Sequence, residues 1–119
     1  MSKLICIYPE DKTTDFLLPI YEQLETLSDF VGYRFDTNDS SKTKNLYNDL
    51  KQLDNDCIIF FLGHGASHKM YGSVDKDGNK LTLFEKMNTD DIKNKNFVGI
   101  ACRSKDFAYN HLLNYIGFG

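Results

Sequence analysis

Three features are missing from this 119-residue sequence, and each absence excludes a class of protein. No apolar run approaches the ~20 residues that cross a bilayer. The start, MSKLICIYPE, has neither the long apolar stretch nor the small-residue cleavage site of a signal peptide. Basic residues do not cluster, because 14 Lys and Arg are mixed with 17 Asp and Glu along the chain. We therefore expect a cytoplasmic protein that binds neither a membrane nor nucleic acid.

Cysteine is also scarce, and its three positions are Cys6, Cys57 and Cys102. The number is odd, and no CxxC pair or Cys/His cluster has the spacing of metal ligands. This excludes a disulfide framework and a structural zinc, and we expect no metal and no other cofactor. Cys6 and Cys57 lie inside apolar runs, where a thiol packs as a small hydrophobic group. Only Cys102 stands where an apolar run ends.

The composition that is present, 41% hydrophobic and 26% charged, is that of one packed globular domain over residues 1–119. Short apolar runs predict strands over residues 3–8, 31–35, 57–62 and 97–101, and a further strand over 115–118. The third run, CIIFFL, is apolar at every position. A strand of that kind is buried on both faces, which predicts a central place in a parallel sheet.

Helical patterns separate these strands. The first predicted helix carries one apolar stripe at steps of four, four and three, formed by Phe16, Ile20, Leu24 and Leu27. Pro19 falls in its first turn, and a start nearer residue 18 remains an alternative. A second helix follows the capping cluster at 38–41 and presents Leu46, Leu50 and Leu53. A third is predicted over 105–114, with Phe107, Ala108, His111 and Leu112.

Strands that alternate with helices predict βαβ units, and hence an α/β fold with an open, mostly parallel, doubly wound sheet and helices on both faces. One segment breaks the alternation. Residues 71–74 and 80–83 flank the sequence DKDGN, whose Asp-Gly step favours a hairpin turn. We therefore expect a small β-hairpin insertion. The same segment is not an EF-hand loop, because Lys80 and Lys86 occupy the positions that need glycine and glutamate.

Reactive groups in such folds gather at the carboxyl ends of the strands. The third strand runs into His64 and the fourth into Cys102. If these strands are parallel neighbours, ~4.8 Å apart, an imidazole and a thiol meet at one edge of the sheet. That pair suits nucleophilic catalysis. A thiol just before a helix N-terminus is favoured as thiolate, and Arg103 adds positive charge beside it.

The motif FFLGHG at 60–65, a hairpin, and the motif GIACRS at 99–104 follow one another in the chain, and Cys102 comes 38 positions after His64. This order resembles the caspase-like superfamily of cysteine peptidases, most closely its CHAT branch. The resemblance implies a caspase-like sheet, with Cys102 as nucleophile and His64 as general acid/base. It also implies an oxyanion hole made by the backbone N–H groups of Gly65 and Cys102, and a protein or peptide substrate.

Members of that superfamily continue past the helix after the cysteine, whereas this sequence stops at residue 119. We expect a domain that lacks the C-terminal strands and specificity loops: a trimmed piece, a fragment of a processed enzyme, or a chain completed by a second subunit or C-terminal fragment. Two functions follow, a cysteine endopeptidase or a catalytically inactive caspase-like module for partner recognition or complex assembly. His68 and His111 are interpreted as packing residues. Ser67 is not assigned to the site, and a role in capping or lining the pocket is left as an alternative.

Overall fold

The computed structural model describes residues 3–54, 56–85, 89–90, 92–101 and 103–115. Its strands are β1 Leu4–Pro9, β2 Phe30–Phe35, β3 Ile58–Leu62, β4 Met70–Val74, β5 Lys80–Phe84, β6 Asn96–Ile100 and β7 Asn114–Tyr115. Its α-helices are α1 Leu18–Leu24, α2 Ser40–Leu50 and α3 Ser104–Asn110, and a 3-10 helix over Lys12–Leu17 leads into α1. None of the helices in these ranges has the length and apolar character needed to cross a membrane.

Five of these strands form one parallel sheet in the order β2-β1-β3-β6-β7. The apolar run at 57–62 therefore supplies the central strand, as predicted. β3 and β6 are direct neighbours, and their register pairs Ile59 with Phe97 and Leu62 with Ile100. The sheet and its connecting helices confirm the α/β class and the mostly parallel arrangement.

Side chains alternate between the two faces of the sheet, and helices cover both faces. Ile5 and Ile7 of β1 join a large buried cluster with residues of α2, α3 and the hairpin. Cys6 and Tyr8, the alternate residues, pack on the other face with Leu17 and with α1. The prediction of helices on both faces is therefore confirmed.

The stripe predicted for the first helix is wrong at both ends. Phe16 is 72% exposed and Leu27 is 50% exposed, whereas Leu17 and Tyr21 are buried. Residues 12–17 form a 3-10 helix, which turns once every three residues, so the spacing of an α-helix does not extend through them. The α-helix itself begins at Leu18 with Pro19 in its first turn, which matches the alternative start.

The second predicted helix matches the structure better than the third. Asp39 caps α2 through hydrogen bonds from the N–H groups of Ser41 and Lys42, and Leu46 and Leu50 are buried, as predicted. The third helix is shorter than predicted and ends at Asn110. Leu112 has a φ of 61° and is exposed, because the chain turns there to enter β7. Tyr115 lies in a strand as predicted, and residues 116–118 of that prediction lie outside the described residues.

The predicted β-hairpin is confirmed: β4 and β5 pair antiparallel around the segment Asp75 to Asn79. Gly78 has a φ of 83°, a conformation that favours glycine, and its N–H donates to Asp75 O. Buried hydrogen bonds attach the hairpin to the end of the sheet. The N–H of Ser73 donates to Thr37 Oγ1 at 2.6 Å, and the N–H of Thr37 donates to Ser73 Oγ at 3.0 Å. The hairpin is thereby held at the carboxyl ends of β1 and β2.

Candidate functional site

The carboxyl ends of β3 and β6 lie side by side, and the sequence motifs follow directly from them. The N–H of Gly63, just after β3, donates to the carbonyl of Ile100 at the end of β6 at 3.3 Å. His64 follows Gly63, and Ala101 follows Ile100. Cys102 lies outside the described residues, so its meeting with His64 stays a prediction. The described part of the site is built around His64.

The His64 side chain is bound by the turn that follows β1. Thr13 Oγ1 lies 2.7 Å from His64 Nε2 and 2.5 Å from Asp11 Oδ1. β1 is the neighbour of β3 on the side opposite β6, so its carboxyl end reaches the same edge of the sheet. Parallel pairing thus brings Asp11, Thr13 and His64 together, although Thr13 and His64 are 51 positions apart in the chain.

Asp11 is a fully bonded carboxylate that joins two parts of the fold. Its Oδ1 accepts from the N–H groups of Thr13 at 2.7 Å and Thr14 at 3.2 Å, which caps the 3-10 helix. Its Oδ2 accepts from the N–H of Val74 in the hairpin at 2.7 Å. Partial burial acts to raise the pKa of Asp11, but these hydrogen bonds and the nearby His64 outweigh it, so the pKa lies below its ordinary value.

The environment of His64 favours the neutral imidazole. Partial burial is the largest cause, because it disfavours the charged ring, and the nearby ammonium of Lys80 acts in the same direction. Asp11 opposes both, but the pKa of His64 still lies below its ordinary value. Lys80 itself sits over the ring of Tyr71, 5.7 Å from the centroid. A neutral imidazole at neutral pH is able to accept a proton.

Gly65, predicted as an oxyanion donor, pairs antiparallel with Met70. That pairing is made by the residues on either side: the N–H of Tyr71 donates to His64 O, and the N–H of Ala66 donates to Lys69 O. In a pair of this type the N–H of the central residue is not used by the ladder. The backbone of Gly65 is therefore held in place by its neighbours, and its own N–H makes no hydrogen bond in this ladder. Cys102, the other predicted donor, is not among the described residues.

The loop after His64 is also fastened to the end of α3. Asn110 Nδ2 donates to Ser67 O at 2.9 Å, and His111 Nε2 lies 2.9 Å from His68 O. The His111 ring also packs against Phe107, with centroids 4.7 Å apart. The packing of the His111 ring agrees with its interpretation as a packing residue, whereas His68 is exposed and contributes its backbone carbonyl to this joint. Ser67 contributes its carbonyl to this joint.

Arg103, expected to add positive charge near the thiol, forms an ion pair on its own helix. Its guanidinium lies 2.5 Å from the carboxylate of Asp106, and Arg103 is exposed. Its backbone φ of 58° is left-handed, which is uncommon for arginine and marks the entry to α3. The Asp106 carboxylate therefore offsets part of the positive charge of Arg103.

The other two cysteines are buried, as expected for packing residues. Burial raises the pKa of Cys6 to about 12, and it also raises the pKa of Cys57. Neither thiol is activated as a nucleophile. Among the described residues, no three His, Cys, Asp or Glu side chains come together in a way that would hold a metal ion.

The sequence predictions did not include Asp11 and Thr13 in the site. A local signal was present, since Asp11 comes two residues after the first strand and begins the sequence Asp-Lys-Thr-Thr, which is typical of a capped helix start. The contact with His64 had no such signal, because it depends on the order of strands in the sheet.

Comparison with protein-family models and with curated proteins found no match for this chain. The resemblance of FFLGHG and GIACRS to caspase-like peptidases stays a prediction from those residues.

Proposed function

We propose that this chain is a caspase-like cysteine endopeptidase in which His64 and Cys102 cleave peptide bonds of protein substrates. The observation that supports it most is the adjacency of β3 and β6. His64 follows one strand end, and Ala101, the residue before Cys102, follows the other. A cytoplasmic location, expected from the sequence, belongs to the same proposal.

In the proposed reaction His64 accepts the proton of the Cys102 thiol, and the thiolate attacks the peptide carbonyl carbon. The tetrahedral intermediate collapses, the C–N bond breaks, and the leaving amine takes the proton from His64. Water then attacks the thioester while His64 accepts its proton. The acid product leaves, and the thiol is restored when that proton returns to sulfur. The N–H of Gly65 would donate to the oxyanion, a contribution of ~3 kcal/mol to the barrier.

Two features of His64 support this role. Its lowered pKa keeps the imidazole neutral before the reaction, as a base that removes a thiol proton must be. Its ring is also bonded at Nε2 and is only partly buried, so it is held in one orientation while it remains accessible to a substrate.

The test is labelling of the full chain by a peptide that carries an electrophilic group for thiols. We expect wild type to be labelled at Cys102, and His64→Ala to be labelled much more slowly, because the thiolate is then not formed by proton transfer. General acid–base catalysis contributes on the order of 10²- to 10⁴-fold. The rate is read by mass spectrometry of the intact protein and of its digested peptides.

Matched controls separate a catalytic thiol from an ordinary one. Cys6→Ala and Cys57→Ala remove buried thiols and should leave labelling unchanged, and His111→Gln removes a histidine outside the site. Equal labelling rates in wild type, His64→Ala and His111→Gln, with the label spread over all three cysteines, would rule out the peptidase.

A second candidate function, a caspase-like module that binds a partner or a completing subunit, is favoured by one observation. Phe60, Val98 and Ile100 lie on the α1 side of the sheet by strand alternation, and each is only half-buried. An apolar sheet surface of this kind suits a protein partner. The labelling experiment discriminates: labelling of Cys102 that depends on His64 removes this candidate, and labelling that ignores His64 favours it.

A further inference from the structure

We propose that Asp11 and Thr13 form a relay that positions His64, by holding its proton on Nε2 and leaving Nδ1 as the nitrogen with the free lone pair. As a device for catalysis the relay rests on the proposed function. As a statement about the ring it stands on the hydrogen bonds alone.

The direction of the relay follows from counting donors. A carboxylate only accepts hydrogen bonds, so at 2.5 Å the Thr13 hydroxyl donates to Asp11 Oδ1. That hydroxyl has a single hydrogen, which this bond uses. The contact of 2.7 Å between Thr13 Oγ1 and His64 Nε2 must therefore have the ring N–H as donor. In the neutral imidazole, a proton on Nε2 leaves the lone pair on Nδ1.

Asp11 is suited to anchor this relay because it is itself immobilised. Four hydrogen bonds converge on its carboxylate, from the N–H groups of Thr13, Thr14 and Val74 and from the Thr13 hydroxyl. They come from two separate elements, the 3-10 helix and the hairpin. A carboxylate with both oxygens used in this way cannot turn without breaking bonds to one of them. The orientation of Thr13 is fixed as a result, and with it the orientation of the His64 ring.

The charged groups that act on His64 have opposite effects. Lys80 favours the neutral ring, and Asp11 favours the charged ring. A base in a thiol peptidase must exist in both states during one turnover. The relay stabilises the imidazolium after it has accepted a proton, since Thr13 Oγ1 accepts from Nε2 and the negative charge of Asp11 favours the charged ring. These two residues are positioning residues, because they act through His64.

The experiment is nitrogen NMR of the His64 ring in the full, isotopically labelled chain, as a function of pH. His64→Gln identifies the signals by their loss. We expect wild type above its pKa to carry the proton on Nε2, with a hydrogen-bonded ring N–H. Thr13→Ser, which keeps the hydroxyl, should retain this signature. Thr13→Val and Thr13→Ala should lose it, and Thr13 is exposed enough for both to fold.

The charge of Asp11 is tested in the same spectra. Asp11→Asn should lower the pKa of His64, since the charge that favoured the imidazolium is removed. The matched control is Asp15→Asn, an exposed carboxylate in the same 3-10 helix, which should leave that pKa unchanged. A wild-type ring with its proton on Nδ1 would overturn the relay. So would a Thr13→Val variant whose ring N–H and tautomer match those of wild type.

The labelling rate of Cys102 then separates this inference from the proposed function. If both hold, Thr13→Val should label at least about tenfold more slowly than wild type and Thr13→Ser should recover, because a misplaced base loses part of its contribution. If Cys102 is not labelled in a His64-dependent way but the Nε2 signature is present, the peptidase falls and the relay stands. If Cys102 is labelled in a His64-dependent way but the ring proton of His64 lies on Nδ1, the peptidase proposal stands and the relay is ruled out.

Discussion

The two faces of the five-stranded sheet are packed to different depths. On the face covered by α2, α3 and the hairpin, sixteen buried side chains of the described residues form one cluster, whereas five do so on the α1 face. α1 has only seven residues, ~10 Å of helix, so it covers β1 and its neighbours incompletely. Most of the hydrophobic stabilisation therefore comes from one side of the sheet.

The candidate site lies where these two regions meet. Asp11 begins the 3-10 helix that leads to the thinly packed face, and its carboxylate also binds Val74 of the hairpin, which belongs to the deeply packed face. His64 follows the central strand that both faces share. The carboxylate of Asp11 therefore links the 3-10 helix to the hairpin at the edge of the sheet that carries the site.

The largest expected effect compares one buried side chain from each face. Phe61→Ala should lower the free energy of unfolding by about 3–5 kcal/mol, because it opens a cavity in the large cluster. Leu17→Ala should cost less, about 2 kcal/mol, because its partly exposed neighbours are able to relax. Urea unfolding measures both. Phe16→Ala, at an exposed position, is the control and should stay within about 0.5 kcal/mol. Equal losses at Phe61 and Leu17 would contradict the difference between the faces.

A smaller effect is expected where the hairpin meets the sheet. A methyl group at Gly72 would clash with Thr37 Oγ1 and come within 3.0 Å of Thr37 Cβ. Gly72→Ala should therefore lower the free energy of unfolding by about 1–3 kcal/mol, as overpacking does. Thermal unfolding of Gly72→Ala, Thr37→Ala and the double variant tests the cause, because Thr37→Ala removes the Oγ1 that the methyl group would meet. Full stability in Gly72→Ala would show that the hairpin does not sit tightly on the sheet.

The smallest effect concerns the dependence of stability on pH. The pKa of Asp11 is lower in the folded chain than in the unfolded chain. The stability that its ionised carboxylate contributes is therefore present above about pH 4, and it is lost as the pH falls through the pKa of the folded chain. Asp11→Asn should therefore be less stable than wild type at pH 7, and this difference should shrink in acid. Asp15→Asn is the control. Unfolding curves measured from pH 7 to pH 3 test this prediction. A stability difference between wild type and Asp11→Asn that grows in acid would show that the pKa of Asp11 is not lowered by folding.

Much of the fold was predictable because its signals are local. CIIFFL predicted a central strand, the Asp-Gly step predicted the hairpin turn, and the capping cluster at 38–41 predicted the start of α2. The errors occurred where two regular structures adjoin. Phe16 has the spacing of an α-helix but lies in a 3-10 helix, and Leu112 continues an apolar pattern that ends in a left-handed turn. Sequence spacing does not distinguish these cases.

By itself the sequence determined which residues stand at strand ends, since the apolar runs and the polar residues after them are adjacent in the chain. That was sufficient to select His64 and Cys102 as candidates. Only the tertiary structure decided that Thr13, itself held by Asp11, binds His64, and that α1 leaves part of one sheet face half-covered. The physical reason is that strand order and helix coverage depend on contacts between residues far apart in the chain, which no local pattern specifies.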